Sequence, residues 1–130
     1  MVDSSADKIL GAHLFSKDRS LLYELARSHD LWRQRVAIMA TFYFIKQHDF
    51  ADTLRLAELL ISHKHHLIHK AVGWMLREIG NRDLKTEVEF LEKHHLYMPR
   101  TMLRYAIEKF DPELKKRFLA ITDQLLYVHP

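Results

Sequence analysis

Apolar positions recur at helical spacing along almost the whole chain. Residues 31–47 are apolar almost all round, so we expect this segment to be the most buried. Because only three glycines and three prolines occur in the 130 residues, little room is left for the turns of a sheet. In residues 67–79, the apolar positions form one continuous stripe at about 100° per residue: Leu67, Ile68, Ala71, Val72, Met75, Leu76 and Ile79. The pattern predicts an all-α fold.

Capping residues and helix breakers divide the chain into about eight predicted helices. Their bounds are about 3–15, 18–26, 31–47, 50–62, 65–79, 83–94, 99–110 and from 112 onward. Gly80 and Asn81 are predicted to cap the fifth helix and turn the chain. Pro99 and Pro112 suit the first turns of the last two helices. At this length, residues 1–130 are expected to form one helical domain.

The third and fifth predicted helices resemble each other at an offset of 36 residues. Trp32, Gln34, Val36, Ala37 and Met39 then fall on Ile68, Lys70, Val72, Gly73 and Met75. A weaker third copy, at offset 35, places Ala71 and Val72 on Ala106 and Ile107. Such a period predicts an α-solenoid of antiparallel helix pairs, an α–α superhelix of the HEAT, armadillo or tetratricopeptide kind. The alternative is an irregular helical bundle with chance similarity.

Composition and charge narrow the function classes. The chain has no cysteine, which excludes a disulfide scaffold and a thiolate zinc site. It lacks the apolar run that a membrane span needs and a signal-peptide pattern, so we expect a soluble cytoplasmic protein that does not bind membranes. Twenty Lys and Arg against 17 Asp and Glu give a net charge of +3. This mild basic bias permits nucleic-acid binding but does not establish it.

A metal or cofactor site is not expected. Four histidines lie close together, at 63, 65, 66 and 69, but the chain has no His-Glu-x-x-His arrangement, and a histidine-rich junction that faces solvent is the commoner explanation. The sequence has no phosphate loop, dinucleotide fingerprint or Gly-x-Ser-x-Gly motif. We therefore predict no metal and no cofactor.

Trp74 lies on the flank of the apolar stripe of the fifth predicted helix, about 110° from its centre. Lys70 and Arg77 share that edge at i−4 and i+3. Cations neutralise phosphate and an indole offers contact to a sugar or base, so this ridge suits a nucleic-acid backbone. The alternative is a Trp packed between helices with both cations solvated.

Arg35 interrupts an apolar face of the third predicted helix. Its neighbours on that face are Leu31, Ile38, Met39 and Phe42. Burial of an unpaired guanidinium costs several kcal/mol, so Arg35 needs a carboxylate or phosphate partner, or else the face lines an open groove. The alternative partners are a structural Glu or a helix-terminal carbonyl. Breaks of this kind are common at functional sites.

Three segments carry a family resemblance. They are Leu31–Ile38 (LWRQRVAI), Ile68–Glu78 (IHKAVGWMLRE) and Met98–Glu108 (MPRTMLRYAIE). In this order they resemble the DNA alkylation repair family, the HEAT-like-repeat alkylpurine DNA glycosylases. The resemblance runs from Val2 to about Leu119.

The resemblance implies a basic concave surface that cradles duplex DNA containing alkylated bases. It also implies hydrolysis of the N-glycosidic bond of cationic purines such as 3-methyladenine and 7-methylguanine. The family's catalytic aspartate, active-site arginine and lesion-side tryptophan match Asp3, Arg35 and Trp74. The phosphate contacts that we expect beside them are Lys70, Arg77, Arg100 and Arg104. The location expected is the bacterial cytosol or nucleoid.

The chain departs from the family pattern at its beginning. Family members usually carry a further helical half before the aspartate motif, whereas this chain starts two residues ahead of Asp3. We expect it to correspond to the C-terminal part of the family architecture, with impaired activity and with self-association through an exposed N-terminal edge. The alternative function is a non-catalytic module that binds DNA backbone or a protein partner.

Overall fold

The computed structural model describes residues 9–12, 14 and 18–119, and no strand occurs among them. Residues 9–12, 14 and 112–119 are helical. Between them lie α1 (Ser20–Arg27), α2 (Leu31–Lys46), α3 (Ala51–Leu60), α4 (His66–Arg82), α5 (Leu84–His94), a 3-10 turn (His95–Tyr97) and α6 (Arg100–Ala106). The predicted all-α fold is confirmed.

Side-chain caps begin the longer helices. The carboxylate of Asp30 accepts a hydrogen bond from the backbone N–H of Trp32 at 2.8 Å, which satisfies an open donor at the start of α2. The ring of His65 does the same for Leu67 at the start of α4, at 3.1 Å. Asp83 caps α5 through the N–H of Thr86, so the predicted start of this helix is confirmed.

The turn predicted at Gly80 and Asn81 is wrong, because α4 continues to Arg82. No glycine among the described residues has the positive φ that a glycine cap would use. The carboxyl group of Glu87, on α5, packs where a Cβ of Gly80 would stand. Gly80 is therefore needed for close packing of α5 on α4 rather than for ending the helix.

The helices form two layers. The inner layer contains α2, α4 and α6, with α4 packed between the other two, while α1 and α3 pack on α2 and α5 packs on α4. The inner helices start at Leu31, His66 and Arg100, which are 35 and 34 residues apart. This spacing agrees with the repeat found in the sequence, and the packing of helix on helix is consistent with an α-solenoid.

The core lies between the layers. The stripe predicted for residues 67–79 is buried except at Leu67, which is half-buried. α2 buries seven of its 16 residues and α4 buries seven of its 17, so the segment 31–47 is no more buried than its neighbour. At Gly73, a Cβ would stand 2.7 Å from the carbonyl oxygen of Met102, so the absence of a side chain allows α6 to approach α4 closely.

Candidate functional site

An aromatic and cationic patch lies where α2 and α4 meet. The ring of Trp74 on α4 is half-buried, and its centroid is 6.3 Å from that of Phe42 on α2. The guanidinium carbon of Arg82 and the ammonium group of Lys46 lie 5.7 Å and 4.9 Å from the Phe42 ring. We call these four residues the inner patch. It presents aromatic surface bordered by positive charge.

Glu78 fixes the orientation of Trp74 within the inner patch. The indole N–H of Trp74 donates to Oε2 of Glu78 at 3.0 Å, and Arg82 donates to Oε1 at 2.9 Å. Burial alone would raise the pKa of Glu78, but the hydrogen bonds from Arg82 and Trp74 bring that pKa below its ordinary value. Glu78 is therefore ionised at neutral pH and holds the indole ring and the guanidinium in fixed positions.

The two cations that flank Trp74 in sequence differ in their surroundings. Lys70 is exposed, and its ammonium group lies 5.9 Å from the centre of the Tyr105 ring on α6. Arg77 instead forms an ion pair with Glu108. Lys70 therefore presents its charge to solvent, whereas the charge of Arg77 is balanced by a residue 31 positions away.

Arg35 is half-buried on α2, and no hydrogen bond or ion pair to its guanidinium occurs within the part of the chain that the structure describes. The structural Glu or helix-terminal carbonyl considered as a partner is thus not found there. Arg33, two residues earlier, points elsewhere and lies 4.0 Å from Asp30. Phe42 is seven residues after Arg35, so both occupy one face of α2, about 10 Å apart along the axis. Arg35 therefore lies beyond the inner patch, toward the start of α2.

The other predicted site residues lie apart from the inner patch. Arg100 is half-buried at the start of α6, and Arg104 is exposed on the same helix. Asp3 lies outside the described residues. The structure thus brings Trp74 and Lys70 to one surface with Arg35 near it, and it leaves the position of the predicted catalytic aspartate undescribed.

The histidines of the α3–α4 junction make local hydrogen bonds. Nε2 of His63 lies 2.9 Å from Oε1 of Gln34 on α2, and the backbone N–H of His65 donates to Nδ1 of His63. Burial lowers the pKa of His63, helped by the neighbouring His65 and His69, so this ring is neutral at pH 7. Within the part of the chain that the structure describes, no group of three or more His, Asp or Glu side chains could hold a metal ion.

A second carboxyl group has an unusual environment. Glu87 is 1% exposed and lines a cavity of about 270 Å³ between α4, α5 and the segment after α6. Its Oε2 has no hydrogen-bond partner in the described structure. Burial raises the pKa of Glu87 to about 9, although the charge of Arg77 opposes the shift. Glu87 is therefore a neutral carboxylic acid at pH 7.

Sequence reasoning missed Phe42 and Glu78. Phe42 was counted only as part of an apolar face, and Glu78 was not considered as a partner of Trp74. The available signal was the spacing, because Glu78 follows Trp74 by four residues and precedes Arg82 by four, which places all three on one side of α4.

Over the described residues, no helix combines the length and the apolar character needed to cross a bilayer.

The comparisons with known proteins give one result. Neither the curated proteins nor the solved structures include a match to the chain. A family model described as DNA alkylation repair enzyme matches residues 1–110. These residues include all of α1 to α6, the inner patch and Arg35. Since the match covers most of the 130 residues, the chain belongs to the DNA alkylation repair enzyme family.

Proposed function

We propose that the protein removes cationic alkylated purines, such as 3-methyladenine and 7-methylguanine, from duplex DNA by hydrolysis of the N-glycosidic bond. The observation that carries the proposal is Arg35, a half-buried guanidinium with no protein partner among the described residues. A phosphate would satisfy it, and the family to which the chain belongs acts in DNA alkylation repair.

Hydrolysis of this N-glycosidic bond needs no strong general acid. An alkylated purine already carries positive charge, so it leaves readily while positive charge develops on the deoxyribose. In this proposal, the carboxylate of Asp3 stabilises that charge and orients the attacking water. The water adds to the sugar carbon as the bond to the base breaks, and one proton is released.

Two further groups position the substrate. Arg35 holds the phosphate at the lesion, which accounts for a cation in an apolar row. The ring of Trp74 faces the deoxyribose and the cationic base, where a π face attracts positive charge. Glu78 keeps that ring in place through the indole N–H. Lys70 and Arg104 are exposed and able to reach other phosphates, while Arg77 and Arg100 are secondary candidates.

The direct test is base release from duplex DNA that contains 7-methylguanine. The native chain is expected to release the free base, Asp3→Asn to abolish release, and Arg35→Ala to weaken it. Asp18→Asn serves as the matched control, because Asp18 is exposed and its change also removes one carboxylate charge. Equal loss of release in Asp18→Asn and Asp3→Asn would contradict the assignment of Asp3.

Two outcomes favour the alternative functions. Strong, salt-dependent binding of DNA without base release would indicate a non-catalytic module that binds DNA backbone. No DNA binding at all, in a folded protein, would indicate a helical scaffold for a protein partner.

Three further expectations stay predictions: HEAT-like repeats, self-association through the N-terminal edge and a location in the bacterial cytosol.

A further inference from the structure

The cavity that Glu87 lines has no part in the proposed removal of alkylated bases. Its volume is about 270 Å³, and its described lining residues include none of the inner patch. The C-terminal part of α4, the first half of α5 and a stretch within residues 109–114 form its walls. We call this the Glu87 cavity.

The carboxyl group of Glu87 lacks a partner in this cavity. The residue is 1% exposed, and its Oε2 accepts no hydrogen bond from the described part of the chain. Its Oε1 lies against Gly80 of α4. Buried side-chain oxygens in native proteins are nearly always hydrogen-bonded, so an unpaired one beside a cavity indicates that a group from outside the chain completes its contacts.

The charges around Glu87 favour a cation as that group. Arg77 lines the cavity but forms an ion pair with Glu108, and the exposed Lys109 and Asp111 carry opposite charges. An ionised Glu87 would therefore add one negative charge that nothing in the described walls balances. Burial raises the pKa of Glu87 to about 9 although the charge of Arg77 opposes the shift, which agrees with a missing positive partner.

The end of α4 adds acceptors for such a cation. Gly80 and Asn81 line the cavity and belong to the last turn of this 17-residue helix, where backbone carbonyl groups carry partial negative charge. An ammonium group has three N–H donors, so it can bind a carboxylate and a carbonyl together. A metal ion fits less well, since the described side chains include no group of three or more ligands.

Apolar side chains separate Glu87 from a second carboxylate. Leu84 is exposed, Leu114 is half-buried and Phe110 is buried, and all three line the cavity. They offer contact to methylene groups. Asp111 accepts the backbone N–H of Leu114 at 3.0 Å through Oδ1, and a carboxylate has further lone pairs for an ammonium group.

We propose that the Glu87 cavity binds a linear alkyl diammonium compound, with one ammonium group on Glu87, the other on Asp111 and the methylene chain against Leu84, Phe110 and Leu114. On binding, the carboxylic acid of Glu87 gives its proton to solvent, while both ammonium groups keep theirs. No covalent bond forms. The inference is independent of the proposed function because it uses no contact with DNA.

The test is isothermal titration calorimetry with putrescine at pH 7, in buffers that differ in ionisation enthalpy. Putrescine is fully protonated at this pH, so a released proton comes from the protein. About one proton per bound diamine should be released, because Glu87 is neutral before binding and ionised afterwards. Butanol has the same chain length without charge and should bind at least 10-fold more weakly.

Two variants separate the carboxylates. Glu87→Gln should weaken putrescine binding about 10-fold or more and remove the proton release, because an amide cannot form the charged hydrogen bond. Asp111→Asn keeps a residue that caps a helix equally well. It should lower putrescine affinity by roughly 2- to 5-fold, to that of butylamine, since only the exposed second ion pair is lost.

Glu89→Gln is the matched control, because Glu89 is an exposed glutamate on the same helix as Glu87. It should bind putrescine with native affinity and release the same proton. No binding of putrescine to the folded native chain, binding without proton release, or equal affinities for putrescine and butanol would each overturn the inference. Equal effects of Glu89→Gln and Glu87→Gln would overturn it as well. Base release from damaged DNA tests the proposed function separately, so either can fail alone.

Discussion

The indole N–H of Trp74 donates a 3.0 Å hydrogen bond to the carboxylate of Glu78, one helical turn later on α4. The second oxygen of that carboxylate accepts from Arg82, whose guanidinium lies near the Phe42 ring. The ring that is proposed to face the damaged nucleotide is thus fixed by an ion pair of its own helix. Its orientation depends on Glu78 as well as on packing.

Replacement of Glu78 by Ala is expected to free the indole ring and to lower the rate of base release about 10-fold or more, because misplacement of a positioning group by ~1 Å can cost up to 100-fold. The Michaelis constant should change less than the turnover number. Glu78→Gln keeps an acceptor for the indole N–H and should restore much of the rate.

Fluorescence reports directly whether Glu78 holds the indole ring of Trp74 in place. The chain has two tryptophans, so a Trp32→Phe background leaves Trp74 as the reporter. Glu78→Ala should change the emission of Trp74, whereas the control Glu24→Ala, on the exposed side of α1, should not. Unchanged emission together with an unchanged rate would show that Glu78 has no positioning role.

The helices and their period could be predicted from the sequence because both follow from local spacing of apolar side chains. α2 and α4 appear nearly where the pattern predicted them, with starts 35 residues apart. Arg35 and Trp74 were found as breaks in that pattern, and a break needs no knowledge of distant residues. Each of them lies at a half-buried position of an inner helix.

The errors arise where a distant residue decides the outcome. Gly80 has the local signature of a helix cap, but the carboxyl group of Glu87 packs against it and the helix continues. Arg77 looked equivalent to Lys70 in spacing, yet Glu108 from beyond α6 pairs with it. Neither partner can be identified from the spacing of residues within a single helix.

Arg35→Ala should weaken DNA binding without unfolding the protein. Since no partner of Arg35 is present among the described residues, its loss breaks no ion pair there, and the free energy of unfolding should change by no more than about 0.5 kcal/mol. The salt slope of DNA binding should fall by about 0.9, as expected for one lost phosphate contact. Anisotropy and chemical denaturation measure the two effects separately.

The matched control for Arg35→Ala is Arg33→Ala, which removes the same charge from the exposed face of the same helix. Arg35→Lys should retain the salt slope of DNA binding but lose affinity, because an ammonium group cannot bind a phosphate through two parallel hydrogen bonds. If Arg33→Ala and Arg35→Ala had equal slopes, Arg35 would not be a specific phosphate ligand.

Gly73→Ala is expected to destabilise the protein by about 1–3 kcal/mol. Alanine favours a helix over glycine by up to ~1 kcal/mol, but here its Cβ would stand 2.7 Å from the carbonyl oxygen of Met102. Since that oxygen belongs to the backbone of α6, relief requires the two helices to move apart. Asn81→Ala, at an exposed position of α4, gains propensity without a clash but removes a side-chain hydrogen bond to Glu78, so it should be close to neutral.

Glu87 makes the stability of the protein depend on pH in an unusual direction. Its pKa rises from 4.5 to about 9 on folding, so between these values the unfolded chain ionises while the folded protein keeps the proton. The free energy of unfolding should therefore fall by about 1.4 kcal/mol per pH unit across that range, with no such contribution below pH 4.5. Glu87→Gln should remove this slope.

At pH 8, Glu87→Gln should be more stable than the native chain by roughly 2–4 kcal/mol, because an amide cannot ionise but still leaves a buried polar group short of partners. Urea denaturation at several pH values measures the difference, with Glu89→Gln as the control on the exposed side of α5. Below about pH 4, where Glu87 is largely neutral in the folded and unfolded states alike, the order should reverse, because only the penalty of the buried amide then separates the two proteins. A native chain whose stability stays flat from pH 5 to 8 would mean that water or a bound cation already stabilises the ionised carboxylate, and the cavity beside it would then be hydrated in solution.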